Sequence, residues 1–328
     1  MSICGPALRH EAGFVQQLWD AFEGAVMKIA IVGAGAMGGL FGARLGLAGQ
    51  AVSFVEASEQ AIEVIARQGL RLETPDVQAT VQVPIGRATE LSGHFDVLVI
   101  FTKGFHTAAA IESVRHLVGP DTWALSVQNG LGNAEIIAGV VPAERVIVGM
   151  TNLPADLVAP GVVHSHGEGH INLWAGNGED QPRVHEVAAV FSQAGLPCEA
   201  DPQVQVAIWE KVAFNAALNS VCAVTRQTVG AVGASEQGRQ LLNSILDETV
   251  AVAQAAGIAV DRQRVGASVD YALRNHQQHK PSMLQDLEAG RKTEIDFING
   301  AVVAHGKRLG VATPVLQALY NLVKVSGA

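Results

Sequence analysis

In the run Trp209-Glu-Lys-Val-Ala-Phe-Asn-Ala-Ala-Leu-Asn219, three polar residues, Lys211, Asn215 and Asn219, recur at i, i+4 and i+8 among apolar neighbours. On a helix successive members drift by only ~40°, so they form one polar stripe on an otherwise apolar cylinder. A lysine so placed either snorkels to water or is held in a cleft, where burial lowers its pKa and makes it a usable proton donor. The two asparagines favour the cleft, since their amides bind the oxygens of a polar ligand without adding charge.

Two later positions are candidates to work with that stripe. Ser282, in Pro281-Ser-Met-Leu-Gln-Asp286, either caps a helix start or gives its hydroxyl and backbone N–H to a substrate carboxylate. Glu294, beside Ile295 and Ile298, is either a cleft carboxylate that orients the lysine and binds hydroxyls or one half of a surface ion pair.

A proton donor needs a partner reaction, and the segment from Met27 to Glu56 supplies one. Ile29 to Val32 is a short apolar run of the kind a doubly buried parallel strand requires. It ends in Gly33-Ala-Gly-Ala-Met-Gly38, after which a helix is expected from about Ala36 to Leu47, stopped by Gly49, and a second strand from Ala51 to Val55. This order builds a dinucleotide site: Gly33 permits the turn, Gly35 lets bare backbone approach a pyrophosphate, and Gly38 lets helix and strand lie close. Gly33, Ala34, Gly35, Ala36, Met37 and Gly38 are therefore the candidate cradle, with the helix N-terminus holding the anion.

Glu56 ends the second strand about 20 residues beyond the glycines, where a carboxylate accepts from the ribose hydroxyls and repels a phosphate on the same ribose. NAD is thus favoured over NADP, the alternative being a salt-bridged surface glutamate. No Arg or Lys stands at 57 to 59, although Arg67 or a residue distant in sequence can still reach that site.

Further strands are expected at Asp96 to Phe101 and at Trp123 to Val127, with a helix from Thr107 to Val118 between them. Strands alternating with helices, each strand stopping at a polar or glycine loop, mark a doubly wound parallel sheet whose ligands lie at the strand ends. That places Lys103 and Asn129 beside the glycine turn, as cofactor contacts or as a solvated charge and a loop cap. From Val146 to Ala175 the pattern suggests antiparallel strands covering the sheet edge. His164, His166 and His170 lie there, but no carboxylate and cysteine set completes a metal site, so none is assigned.

Two prolines in Leu196 to Gln203 break the pattern, and from Val204 onward nearly every segment has helical period. The expected fold class is α/β: a Rossmann, mainly parallel sheet over residues 27–201, then an all-α domain over 202–328. Because the first strand starts directly after Met27, residues 1–26 read as an appended leader, with a short amphipathic helix from Phe14 to Phe22.

Composition narrows the classes. Of 328 residues, 48% are hydrophobic and 16% charged, which suits a compact soluble globule of about two domains. A net charge of −9 with no basic cluster argues against nucleic acid or anionic membrane as partners. Cys4, Cys198 and Cys222 form no disulfide framework or CxxC pair, as expected for thiols in a reducing cytoplasm. No apolar run reaches the ~18 residues of a membrane span.

Taken in order, the glycine turn, Thr102-Lys-Gly, Gln128-Asn-Gly-Leu-Gly, Trp209-Glu-Lys with its two asparagines, Ser282-Met-Leu-Gln-Asp and Thr293-Glu-Ile-Asp resemble those of the ketopantoate reductases, over essentially everything after Met27. The resemblance implies reduction of a 2-oxo acid in the cleft between two domains by NAD(P)H, with Lys211 as general acid. It further implies that Asn215, Asn219 and Ser282 bind substrate, that Glu294 contacts cofactor near the reacting centre, and that Lys103, Asn129 and Ala155 are cofactor positions.

The chain departs from that pattern at three places. No asparagine follows between 220 and 242, His279 stands where an asparagine is usual, and Glu56-Ala57 replaces an arginine frequent in NADPH users. An NAD-dependent D-2-hydroxyacid dehydrogenase of the same family, acting on a bulkier acid such as benzoylformate, is the alternative. A regulator that binds dinucleotide without catalysis, and a dehydrogenase of phosphorylated sugar acids, are further readings. The apolar helical domain leaves room for a homodimer.

Overall fold

The computed structural model describes residues 26–327, so Cys4 and the helix expected from Phe14 to Phe22 lie outside the described residues. The chain begins β1 (Lys28–Val32), α1 (Ala36–Leu47), β2 (Ala51–Val55), α2 (Glu59–Gln68), β3 (Leu70–Glu73), β4 (Gln78–Val81), β5 (Ile85–Gly86) and β6 (Val97–Ile100). It continues α3 (Thr107–Ser113), β7 (Trp123–Ser126), α4 (Asn133–Ile137), β8 (Val146–Thr151), β9 (Asp156–Ala159), β10 (Val162–His164), β11 (Ile171–Ala175), α5 (Pro182–Gln193) and β12 (Cys198–Ala200). Helices then follow without strands: α6 (Val204–Thr225), α7 (Val229–Ala234), α8 (Glu236–Ala255), α9 (Arg262–Asn275), α10 (Ser282–Glu288), α11 (Asn299–Leu309) and α12 (Pro314–Val325).

Eight strands form the main sheet in the order β12-β11-β8-β7-β6-β1-β2-β5, parallel throughout except where β11 runs against β8. Chain order reverses between β1 and β6, so their carboxyl ends open the crevice in which such sheets bind ligands. The all-apolar VLVI of β6 is buried at every position, as its place in the middle of the sheet demands. Phe41 of α1 stacks edge-on against Phe101 and Phe191, fixing α1 over the sheet.

Two expectations need correction. The helix from Thr107 stops at Ser113 and is replaced by a short 3-10 turn over Arg115–Leu117. The Val146–Ala175 passage is not one antiparallel cover, because β8 joins the main sheet parallel to β7 while β9 and β10 leave to build a second sheet with β3 and β4. Within Leu196–Gln203, residues 198–200 add the edge strand β12 beside β11.

Buried apolar residues fall into two cores, one from Met27 to Val204 and one from Trp209 to Val323. Each half thus closes around its own interior, and α6 starts where the first core ends. No helix among the described residues is long and apolar enough to cross a membrane.

Candidate active site

The glycine turn is built as an anion cradle. Gly33 has φ +106°, and a Cβ at Gly38 would stand 2.0 Å from the Gly33 carbonyl oxygen, so only glycine lets α1 lie this close to β1. A Cβ at Gly35 would meet nothing within 4 Å, so that residue faces open space. No side chain caps α1 and no acid stands in its first turn, which leaves its N-terminal N–H groups free for a phosphate. Across the crevice, Thr102 has a buried Oγ1 without a partner among the described residues. These features fit a dinucleotide.

Glu56 braces this cradle. Its Oε2 accepts from Ala34 N at 2.7 Å, and its Oε1 accepts from Ala57 N and Ser58 N at 2.8 and 2.9 Å. A basic residue from elsewhere in the chain does come close: Glu56 N donates to Gly86 O at 3.0 Å, and Arg87 follows, with its guanidinium paired to Glu59.

On the helical side, α6 carries Lys211 half-buried and Asn219 buried, with Asn215 between them. Lys211 Nζ reaches across to the other half and donates to the backbone carbonyl of Thr151, at the end of β8, at 2.7 Å. Burial pulls its pKa down to about 8, partly opposed by the negative charge of Glu294. Neither the Asn215 nor the Asn219 amide bonds to another described residue.

Glu294 is buried and clamps the loop after β6. Gly104 N donates to its Oε1 at 3.0 Å, and Lys103 Nζ lies 3.5 Å from its Oε2 and 2.9 Å from Asp286 Oδ2. Burial alone would lower the Lys103 pKa, but the two carboxylates outweigh it and hold the ammonium above the usual lysine value. Arg291 Nε donates to Asp286 Oδ1 at 2.9 Å. Phe297 seals the seam: Leu131 N donates to its carbonyl at 2.8 Å, and a Cβ at Gly104 or Gly130 would strike it at 2.7 or 2.3 Å.

The structure thus brings Lys103, Lys211 and Glu294 to one seam, with the glycine turn on the adjoining strand end. Asn129 lies in the Gln128–Leu131 loop, where its backbone carbonyl accepts from Asn133 Nδ2 at 3.3 Å. Ala155 is half-buried between β8 and β9. Ser282 is exposed, and Pro281 takes the N-cap position of α10, so the capping role offered for Ser282 is not the one it plays.

Sequence reasoning gave Asp286 no role, although it lies four residues after Ser282 and hence on the same helix face. The Thr151 carbonyl left no signal at all, since any residue supplies one. Two of the three histidines find carboxylates: His164 pairs with Glu73, and His166 Nδ1 is 3.9 Å from Asp156. A cavity of about 430 Å³ beside Arg44 contains none of the candidate site residues in its lining.

A glycine-turn parallel sheet facing a helical half that offers a half-buried ammonium defines a two-domain pyridine-nucleotide oxidoreductase. The model of the ketopantoate reductase PanE/ApbA family matches residues 29–178, and that of its C-terminal part matches 203–326. The chain belongs to the ketopantoate reductase family. It is 34% identical over 303 residues to a 2-dehydropantoate 2-reductase of Streptococcus pyogenes serotype M1, covering 92% of this chain and 98% of that relative. Among solved structures, a 2-dehydropantoate 2-reductase from Geobacter metallireducens GS-15 is 36% identical with a TM-score of 0.85, covering 91% of this chain and 99% of that one. D-mandelate dehydrogenase with NADH and anilino(oxo)acetate is 30% identical with a TM-score of 0.87, covering 92% and 98%.

Proposed function

We propose that the chain reduces the 2-oxo group of ketopantoate to the D-hydroxy acid, with residues 27–201 holding the nucleotide and 202–328 the substrate and proton donor. One observation carries the reading: the half-buried Lys211 ammonium at the seam between the halves, on the same stripe as two asparagine amides that bond to no other described residue. A nicotinamide, when bound, would supply hydride to the carbonyl carbon. Lys211 stabilises the negative charge that grows on the oxygen and delivers its proton there. Asn215 and Asn219 hold substrate oxygens, and Ser282 receives the carboxylate. Lys103, Asn129, Ala155 and Glu294 keep the nucleotide in register.

A depressed lysine pKa has a directional consequence. The protonated form is the donor, so kcat/KM for reduction is expected to fall about tenfold per unit above pH 8, while oxidation of the hydroxy acid rises over the same range. A reduction profile that stays flat from pH 7 to 10 would exclude Lys211 as the donor.

A second reading has its own support. Val229 N donates to His279 O at 3.1 Å, so the stretch that lacks the usual asparagine and the histidine that replaces another meet. The first change removes an amide suited to a distal hydroxyl and the second exchanges an amide for a bulkier imidazole, which favours a D-2-hydroxyacid dehydrogenase for a bulkier 2-oxo acid. Assays of ketopantoate, benzoylformate and branched 2-oxo acids, each with NADH and NADPH, separate the two. The first reading expects ketopantoate to have the highest kcat/KM; a benzoylformate optimum replaces it with the second, and no turnover of any acid removes both.

For the cofactor, Glu56 occupies with its own carboxylate the N–H groups of Ala57 and Ser58, which a ribose phosphate would otherwise use, and Arg87 is engaged by Glu59. NADH is therefore expected to exceed NADPH in kcat/KM by roughly tenfold or more in the same assays. Parity between the two would overturn the preference assigned to Glu56. We place the activity in the cytoplasm on the strength of the unpaired Cys198 and Cys222, and a homodimer through the helical half is compatible with it.

A further inference from the structure

Asn299 opens α11 with its side chain wholly buried, and nothing in the site described above uses it. Its Nδ2 donates to the Ala216 carbonyl on α6 at 3.3 Å, and the same carbonyl accepts from Ser220 Oγ at 2.6 Å. Its Oδ1 has no partner among the described residues. Turning the amide over would only set two acceptors face to face. A buried acceptor without a partner weakens folding, and an apolar side chain of similar volume would avoid that loss. Stability therefore gives no reason for an amide here.

What it joins does give a reason. Ala216 lies between Asn215 and Asn219, little more than a turn beyond Lys211. Asn299 closes the turn that starts at Glu294, in which Phe297 N and Ile298 N donate to Glu294 O at 3.0 and 3.1 Å and Gly300 N donates to Ile295 O at 2.9 Å. That turn is the one that grips Gly104 through the Glu294 carboxylate and Leu131 through the Phe297 carbonyl. One side-chain amide thus fastens the helix bearing the ammonium to the turn bearing the carboxylate.

We propose that Asn299 is a positioning residue, whose bond to Ala216 sets the register of α6 against the Glu294 turn and with it the separation of Lys211 from Glu294. Its kinetic consequence rests on the reductase reading, whereas the geometry does not. Fixing donor and cofactor clamp relative to each other is where small displacements are costly, since a shift near 1 Å can lower turnover by about 10²-fold.

Asn299→Leu and Asn299→Val remove the donor and the unpaired acceptor together. Both are expected to lower kcat about tenfold or more, with Asn299→Leu melting no lower than the parent. The deciding measurement is the titration of Lys211 itself, followed by NMR on the full-length protein labelled with 13C-lysine and assigned with Lys211→Met. As Glu294 moves away from the ammonium it supports, the Lys211 pKa is expected to fall below the parental value in both variants. An unmoved titration overturns the proposal whatever happens to kcat. Should the parent reduce no 2-oxo acid, the titration still decides, and the failure then belongs to the assigned activity alone.

Discussion

Lys211→Ala is expected to lower kcat for 2-oxo acid reduction by ~10²-fold or more while NADH still binds. Apart from Glu294, the proposed nucleotide contacts lie on the opposite half, so removing a side chain from α6 leaves the glycine turn and its helix untouched. What disappears is the only ionised donor that the polar stripe carries. The transition state then has two neutral amides to face a growing oxyanion, and the proton must come from water. KM for the acid should rise less than kcat falls, because the ammonium strengthens its hold as charge develops. Wild-type turnover by a folded Lys211→Ala protein would remove Lys211 from the chemistry.

Gly38→Ala is expected to weaken NADH affinity at least ~100-fold and to lower the melting temperature as well. Its Cβ would sit 2.0 Å from the Gly33 carbonyl, and the atom in the way is main chain, which has no rotamer to turn aside. Relief requires α1 to slide off β1, and that same slide spoils the angle at which the helix N–H groups meet the pyrophosphate. Gly35→Ala is the informative companion. Its Cβ meets no protein atom, so the fold should survive while the approach of the nucleotide suffers. Isothermal titration with NADH and thermal melts of both variants distinguish the two; unchanged affinity in Gly38→Ala would contradict the packing argument.

The nucleotide half was largely legible because its signals are local. The apolar run of β1, the glycine spacing and the length of α1 each follow from neighbours in sequence, and the observed α1 and β2 have the expected bounds. Pairing between distant strands was less legible. Nothing local tells β8 to run parallel to β7 or sends β10 to join β3, because those choices are made by crossovers and by surfaces that exist only after folding. The candidate site divides in the same way. Lys211, Asn215 and Asn219 are one helix period apart and reveal themselves, and Glu294 stood out beside isoleucines. Asp286, Phe297 and Asn299 act through partners 80 to 190 residues away, such as Lys103 and Ala216, and through backbone carbonyls that carry no residue signature.

Glu56 has a consequence for anyone wishing to switch the coenzyme. The carboxylate proposed to disfavour a phosphorylated ribose also accepts the N–H of Ala34 inside the turn and those of Ala57 and Ser58 outside it. Exchanging it for a neutral or basic side chain would release all three donors at once, so selectivity and loop rigidity are inherited as a single trait. Redesign would need a second change that re-anchors the turn before the new preference could be expressed.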